Sequence, residues 1–246
     1  MSAPRFFVTD ALPRPWVQGT RAEIGEAVAR HLQVLRLAPG DHITLFDGRG
    51  GEFHGVINVI GKRRAQIELT GFDPVERESP LMITLVQALA TSDKMDLIVQ
   101  KAVELGVTRI QPIATERATL KLAGDRAQKR AEHWQSIAQA ACEQCGRNRV
   151  PVVGGIMMLD AWLASPVEGL RLLMQPDAAS SLTGGIHGAQ PVALLIGPEG
   201  GFSAGELALA AGHRVAAVRF GPRVLRTETA GLAALAALNA LHGDLQ

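Results

Sequence analysis

The sequence has few of the features that would assign it quickly to a class. Its two cysteines, Cys142 and Cys145, form a single Cys-x-x-Cys, with no second pair at zinc-site spacing and no thioredoxin-like strand and turn. We therefore interpret them as small apolar side chains of a helix, and we expect no metal. The longest apolar run, 230–241, is too short to span a bilayer, and charged residues interrupt the N-terminal segment where a signal peptide needs an apolar core. These absences predict a cytoplasmic protein with no membrane partner.

The chain also has no strong excess of charge. Its 246 residues carry a formal net charge of +1, and 47% are hydrophobic, which is typical of one large globular domain or two smaller ones. The charge is uneven locally: from Arg117 to Arg149 seven Lys/Arg stand against three Asp/Glu, and 213–226 has four arginines and no acid. Such patches can attract a polyanion, although a solvated helical face gives the same pattern.

The pattern of apolar residues changes along the chain. Residues 1–72 contain short β segments separated by glycine-rich turns, with one helix near 21–35, which favours a small barrel. The segment 73–80 is polar and carries two prolines, so it is the candidate linker. Within 81–246, strands alternate with helices, which is typical of an α/β domain whose parallel sheet is covered on both faces. The predicted strands are 82–89, 109–114, 150–153, 170–175, 191–196 and 214–220, and the predicted helices are 93–105, 125–146, 158–164, 204–211 and 228–241.

Two glycine-proline loops follow two of these strands. The strand 191–196 runs into Gly197-Pro-Glu-Gly-Gly201, and the strand 214–220 runs into Gly221-Pro-Arg-Val-Leu-Arg226. Glycine permits positive φ and a close backbone approach, and an α/β sheet usually binds its ligand at the carboxyl ends of its strands. Neither loop has the Lys-Ser/Thr of a P-loop or the spacing of a dinucleotide G-x-G-x-x-G, which disfavours a nucleotide-phosphate site. Their backbone groups suit an uncharged adenine edge or a ribose, whereas a single such loop is more often a tight turn into a helix.

These loops and several upstream motifs closely resemble the ribosomal RNA small-subunit methyltransferase E family of the SPOUT superfamily. The matching stretches are Ile196-Gly-Pro-Glu-Gly-Gly-Phe-Ser203, Glu206, Gly221-Pro-Arg-Val-Leu-Arg-Thr-Glu-Thr-Ala230, Lys94-x-Asp96, Lys101-Ala-Val-Glu-Leu-Gly-Val107, Glu143-Gln-x-x-Arg147 and Arg5-Phe-Phe7. The resemblance implies a PUA-like RNA-binding β-barrel at 1–72 and a SPOUT α/β methyltransferase domain with a deep trefoil knot at 81–246. It also implies a homodimer.

The cofactor implied by the resemblance is S-adenosylmethionine. Its implied contacts are Met174, Gln175, Ile196, Gly197, Pro198, Glu199, Gly200, Gly201, Phe220, Gly221, Leu225, Arg226 and Thr229. The implied reaction is methylation of N3 of a specific uridine in 16S rRNA within the 30S subunit. Because N3 lies on the Watson–Crick edge and carries a proton, the base must leave its pair and the proton must be lost.

Arginines and carboxylates are the candidates for this chemistry. Arg226 or Arg147 would stabilise the uracil anion, and Glu199, Glu143 or solvent would accept the proton. The implied RNA contacts are Arg5, Lys94, Arg117, Gln144, Arg147 and Arg149.

Several interpretations stay open. On a helix over 125–146, Glu143 and Arg147 point away from the apolar face of Trp134, so they form either an exposed i,i+4 ion pair or, with Gln144, the mouth of a substrate cleft. A SPOUT ribose 2′-O-methyltransferase is the nearest alternative enzyme. That branch typically has Ser-Leu-Asn-x-Ser where this chain has Val224-Leu-Arg-Thr-Glu-Thr229. A non-catalytic RNA-binding or assembly factor is the alternative outside enzymes.

Overall fold

The computed structural model describes residues 3–120, 124–184 and 190–245, and its contacts divide the chain into two compact units. One unit comprises residues 1–78 with 142–150, and the other comprises 79–141 with 151–246. The strands are β1 Arg5–Phe7, β2 Arg21–Ile24, β3 His42–Phe46, β4 Glu52–Ile60, β5 Ala65–Asp73, β6 Ile83–Ala88, β7 Arg109–Ala114, β8 Val152–Val153, β9 Met157–Met158, β10 Leu170–Met174, β11 Ser180–Ser181, β12 Val192–Ile196 and β13 Ala216–Arg219. The helices are α1 Glu26–Val34, α2 Ser92–Glu104, α3 Gly124–Cys145, α4 Leu159–Ala164, α5 Ala204–Gly212 and α6 Thr227–His242, with one 3₁₀ turn at Leu182–Gly184.

The first unit is built on a five-stranded sheet in the order β1-β3-β4-β5-β2. All pairs are antiparallel except β1 with β3, and two register shifts between β4 and β5 add the local twist that curves a sheet into a half-barrel. Its core contains Phe6, Leu32, Leu45, Phe53 and Ile67. This arrangement agrees with the predicted PUA-like barrel.

The predicted helix at 21–35 is wrong in its first four residues. Residues 21–24 form β2, which pairs antiparallel with β5. Ala22 and Ile24 are buried, whereas Arg21 and Glu23 are exposed, so the side chains alternate with the period of a strand. The helix α1 begins only after Gly25.

Polar side chains hold residues 142–150 within the first unit. Arg5 forms an ion pair with Glu52 and donates to the carbonyl oxygens of Gly146 and Arg147 and, at 2.8 Å, to Oδ1 of Asn148. Asn148 in turn donates to the carbonyl oxygen of Val75 at 2.7 Å. Charge-assisted bonds of this kind are stronger than neutral ones, so Arg5 has a structural role that its motif did not reveal.

The cysteines occupy the end of α3. Cys142 is buried, as predicted, and burial raises the pKa of its thiol to about 12, whereas Cys145 is only half-buried. The described residues contain no group of three or more side chains suited to hold a metal, and none of their helices is long and apolar enough to cross a membrane.

The second unit contains a parallel sheet in the order β11-β13-β10-β12-β6-β7-β8, with β9 also paired to β7. Every pair in it is parallel, and β12 is buried along its whole length. Strands buried on both faces read as continuous apolar runs, which explains why the pattern predicted them well. The predicted α/β class is confirmed. The strands β9 and β11 were missed because each has only two residues.

The order of the strands brings three loops together. Along the chain β10 precedes β12, and β13 follows α5, yet in the sheet β10 lies between β12 and β13. Since the three strands are parallel, their carboxyl ends at Met174, Ile196 and Arg219 are neighbours. The trefoil knot implied by the resemblance stays a prediction, because part of the connection between β10 and β12, residues 185–189, lies outside the described residues.

Candidate active site

A cavity of about 420 Å³ lies at the carboxyl ends of β10, β12 and β13. Its volume is within the range usual for small-molecule sites. It brings together most of the predicted cofactor contacts, namely Met174, Gln175, Ile196, Gly197, Pro198, Glu199, Gly201, Phe220, Gly221, Leu225 and Arg226. Gly200 and Thr229 were also predicted, but they are not among the lining residues.

The first glycine loop is a tight turn with little space around it. The N–H of Gly201 donates to the carbonyl oxygen of Pro198 at 2.9 Å, and Gly201 has a φ of +66°, a conformation that favours glycine. A Cβ at Gly200 would lie 3.2 Å from the Cβ of Arg117, a tight contact that would require Arg117 to shift by a few tenths of an ångström. Arg117 also donates to the carbonyl oxygen of Gly200 at 3.1 Å. Gly200 therefore shapes the loop, and Arg117, predicted as an RNA contact, braces it.

The helix α5 begins directly after this loop with a capping box. The Ser203 hydroxyl accepts a hydrogen bond from the N–H of Glu206 at 3.2 Å, and the Glu206 carboxylate accepts one from the N–H of Ser203 at 2.8 Å. The same carboxylate accepts from the N–H of Glu116, just beyond β7, at 2.9 Å. Glu206 thus fixes the end of the loop at the start of α5. These hydrogen bonds give a physical reason for a glutamate at this position of the motif.

The second glycine loop presents its side chains to solvent and to the cavity. Gly221 has a φ of +72°, and Arg223, Val224 and Arg226 are exposed. Within the described part of the chain, the guanidinium of Arg226 has no hydrogen-bond or ion-pair partner. Thr227, the first residue of α6, is buried. The loop therefore offers an unpaired cation at the edge of the cavity.

Lys94, another predicted RNA contact, lies on the cavity wall between two carboxylates. Its Nζ is 3.1 Å from Oε1 of Glu199 and 3.4 Å from Oε2 of Glu228. The hydrogen bond with Glu199 is the main reason that the pKa of Lys94 is raised. Burial acts to raise the pKa of Glu199, but its own N–H and the Lys94 ammonium outweigh burial and hold that pKa below the ordinary value. Glu199 is therefore an ionised, paired carboxylate and a weak proton acceptor.

The remaining predicted residues belong to the first unit, whereas the cavity lies within the second. Arg147 is buried and forms an ion pair with Glu78, to which its Nε donates at 3.0 Å. It follows the end of α3 at Cys145, so the prediction that it lies on the exposed face of that helix is wrong. A buried, bidentate pair of this kind is typical of a structural role, and Arg147 is not available as a free cation.

Glu143 is also not on an exposed face. Its carboxylate is half-buried and accepts a hydrogen bond from the N–H of Phe7 at 2.8 Å. Burial raises its pKa, opposed in part by that hydrogen bond. Gln144 is exposed, as a substrate contact requires, and Arg149 is exposed and paired with Glu76 at 2.8 Å.

Sequence reasoning missed several residues of the site. The additional lining residues are Pro176, Phe202, Arg223, Val224, Thr227 and Ala230. Pro176 follows the predicted contacts Met174 and Gln175, and the others lie in or near the predicted loops, so proximity in sequence to the predicted contacts was the available signal. Gln87 was missed as well, because its contact with Thr227 joins residues that are distant in sequence.

The family models that match the chain define its class, which is that of RNA methyltransferases with a PUA domain. The model of the RNA methyltransferase domain family matches residues 77–239, and that of the RNA methyltransferase PUA domain matches residues 24–70.

Named relatives narrow this class. The ribosomal RNA small subunit methyltransferase E of Buchnera aphidicola subsp. Schizaphis graminum is 33% identical over 214 residues, 87% of each chain. A solved structure of the enzyme of the same name from Neisseria gonorrhoeae, bound to S-adenosyl methionine, is 41% identical with a TM-score of 0.90 over 100% of both chains. A methyltransferase of Legionella pneumophila with bound SAM is 36% identical with a TM-score of 0.94, again over 100% of both chains. The chain belongs to the ribosomal RNA small subunit methyltransferase E family.

Proposed function

We propose that the protein transfers a methyl group from S-adenosylmethionine to N3 of a specific uridine in the 16S rRNA of the 30S subunit, in the cytoplasm and as a homodimer. The observation that carries the proposal is the cavity, which is lined by both glycine loops and by the end of β10. Relatives that cover the whole chain and were solved with this cofactor support it. The choice of uridine N3 rests on family membership.

The cavity has the chemistry that this cofactor needs. Ile196, Phe202 and Leu225 supply apolar surface for an adenine ring, and the loop backbones supply hydrogen-bonding groups for its edge and for the ribose. The ionised Glu199 supplies a negative charge at the wall, which suits a cationic ligand. When bound, the cofactor supplies an electrophilic methyl group on a positively charged sulfur. We assign its contacts to the lining residues of the two loops and to Met174 and Gln175.

Arg226 is the residue that we assign to stabilise the uracil anion. As N3 loses its proton, negative charge spreads onto the two uracil oxygens, and a guanidinium offers a rigid fork of donors to them. Arg226 is exposed at the cavity and has no protein partner in the described chain, so it can turn to the base without breaking a bond. Arg147, the other candidate from the sequence, is buried against Glu78.

We assign the N3 proton to solvent. Glu199 has a lowered pKa and is held by Lys94, so it is a poor base. Glu143 is half-buried and already accepts a hydrogen bond from the N–H of Phe7. The protein's contribution is then to hold the base in line with the methyl donor and to stabilise its anion, which together can provide much of the acceleration of a two-substrate transfer.

For RNA contacts we retain the exposed residues. Arg117, Gln144 and Arg149 are exposed. Arginines at such positions bind phosphates without reading sequence, and the neutral amide of Gln144 can offer hydrogen bonds. Arg5 and Arg147 are largely enclosed by structural partners, so we assign them to folding. Lys94 lies between two carboxylates whose negative charges offset its own, which makes it a poor site for a phosphate.

The test is methyl transfer from labelled S-adenosylmethionine to 30S subunits from a strain that lacks the homologous activity. The product nucleoside is then identified by mass spectrometry. N3-methyluridine is the expected product. A 2′-O-methylated nucleoside would place the protein in the neighbouring SPOUT branch, and failure to bind the cofactor would overturn the enzyme assignment.

A further inference from the structure

A partly buried chain of hydrogen bonds joins the two glycine loops. Thr227, which directly follows the second loop, donates its hydroxyl proton to the carbonyl oxygen of Gly197, the first residue of the first loop, at 2.6 Å. Its hydroxyl oxygen accepts a hydrogen bond from Nε2 of Gln87 at 2.9 Å. Gln87 belongs to β6, and its side chain is fully buried. One hydroxyl therefore links the carboxyl end of a central strand to both loops.

The direction of these hydrogen bonds is fixed by the protein. Nε2 of Gln87 also donates to the carbonyl oxygen of Ala88 at 3.0 Å, and a carbonyl can only accept, so the amide nitrogen must lie on that side. The Thr227 hydroxyl then accepts from this nitrogen and has its own proton free for Gly197. The oxygen of the Gln87 amide is buried without a partner among the described residues, which costs desolvation free energy. The hydrogen bonds of the amide nitrogen alone hold the side chain in this orientation.

The packing of α6 keeps this contact short. A Cβ at Gly231, one turn after Thr227, would lie 3.2 Å from Leu85, 3.3 Å from Ile196 and 3.5 Å from the Gln87 amide oxygen. Glycine at this position allows the helix to lie close to β6 and β12. The first turn of α6 is thereby held against the two strands that carry Gln87 and the first loop.

We propose that Gln87 and Thr227 are positioning residues that set the separation of the two glycine loops and thereby the affinity for the cofactor. The identity of that cofactor rests on the proposed function. Gln87 does not line the cavity, whereas Thr227 does, and the Thr227 hydroxyl acts through the carbonyl of Gly197 to which it donates. A loop released from this contact must be ordered again when the ligand binds, and that entropic cost appears as weaker binding.

The experiment compares Thr227→Val and Thr227→Ser by calorimetric binding of S-adenosylmethionine. Valine keeps the shape but removes the hydroxyl, so the first loop must be ordered on binding, and we expect the Kd to rise on the order of tenfold or more. Serine keeps the hydroxyl and should bind nearly as the unmodified protein does. The matched control is Thr108→Val, because Thr108 also donates to a carbonyl oxygen, that of Ile83 at 2.8 Å, but before β7 at the opposite end of the sheet. It should lower the thermal midpoint without changing the Kd.

A second pair of measurements separates positioning from general destabilisation. Gln87→Leu should also weaken binding. In the double variant the two losses of affinity should not add, because both substitutions break the same chain of hydrogen bonds. Amide hydrogen exchange of residues 197–203 in the cofactor-free protein should quicken in Thr227→Val but not in Thr108→Val.

The outcomes distinguish this inference from the proposed function. If the unmodified protein does not bind S-adenosylmethionine, the proposed function fails, and the exchange rates alone decide whether the loop is positioned as described. If the unmodified protein and Thr227→Val bind S-adenosylmethionine equally well, and amide exchange of residues 197–203 is the same in both, the chain of hydrogen bonds has only a structural role and the inference is wrong.

Discussion

The ammonium of Lys94 lies 3.1 Å from the carboxylate of Glu199, which joins the first turn of α2 to the first glycine loop. The same ammonium is 3.4 Å from Glu228, in the first turn of α6 after the second loop. A single cation therefore ties both loops from the cavity side, while the Thr227 hydroxyl ties them from the buried side. Since the ion pair is partly exposed, water and salt weaken it.

We expect Lys94→Met to weaken cofactor binding roughly two- to fivefold, the range of a partly exposed ion pair. Methionine keeps most of the side-chain length and removes the charge. The matched control is Lys101→Met on the same helix, where Lys101 pairs with Glu104 and with no other carboxylate among the described residues. Calorimetry at low and high salt is the measurement, and the difference between Lys94→Met and the unmodified protein should shrink as salt is added. A Kd that is unchanged at low salt would show that the ion pair does not order the loop.

We expect Arg226→Ala to lower kcat roughly a hundredfold or more while the Kd for the cofactor changes little, because the guanidinium acts on charge that develops in the transition state. Arg226→Lys should recover only part of the rate, since an ammonium lacks the planar fork. The control is Arg214→Ala, at the opposite end of β13, where the side chain is also exposed. Single-turnover methylation of 30S subunits measures the effect. An Arg226→Ala variant with normal kcat would require another group to stabilise the anion.

We expect Arg117→Ala to raise the Kd for the cofactor about fivefold in the absence of RNA, because the loop loses the hydrogen bond from Arg117 to Gly200. This result would distinguish a role of Arg117 in holding the loop from the RNA contact that the sequence predicted. The control is Arg126→Ala, an exposed arginine at the start of α3. Should the Kd stay constant while the KM for 30S subunits rises, Arg117 would be a phosphate contact and not a brace.

We expect Glu143→Gln to stabilise the protein at about pH 8 and to have no such effect near pH 3, below the ordinary glutamate pKa. Burial raises the pKa of Glu143, so as the pH rises the unfolded chain loses this proton before the folded chain does. Above the folded pKa the ionised carboxylate therefore costs stability, and this cost disappears where both states are protonated. Glutamine can still accept the hydrogen bond from Phe7 without carrying charge. Urea unfolding across this pH range is the measurement, and a stability gain that is independent of pH would contradict the explanation.

Local patterns predicted the elements of the second unit and the loops of its site. The fully buried β12 reads as an apolar run between a proline and a glycine, and the capping box of Ser203 and Glu206 marks the start of α5. These signals depend on residues close together in sequence. The adjacency of the two loops could be expected only from the general behaviour of parallel sheets and from the family resemblance.

The errors come from contacts between distant residues. Arg147 looked like a free helical cation because nothing in its neighbourhood shows that Glu78 pairs with it. The strand β2 looked helical because its four residues precede α1 without a break in apolar content, and only pairing with β5 makes them extended. The hydrogen bond from Gln87 to Thr227 joins residues that are 140 positions apart, so no local pattern could have predicted it.

The position of β10 between β12 and β13 also bears on how the protein is made. The cavity needs the ends of all three strands, and β13 with α6 is the last part of the unit to leave the ribosome. A nascent chain that ends before β13 therefore lacks the second glycine loop and the hydroxyl that holds the first one in place. Affinity for the ligand therefore depends on the docking of β13 and α6 against strands that were synthesised earlier.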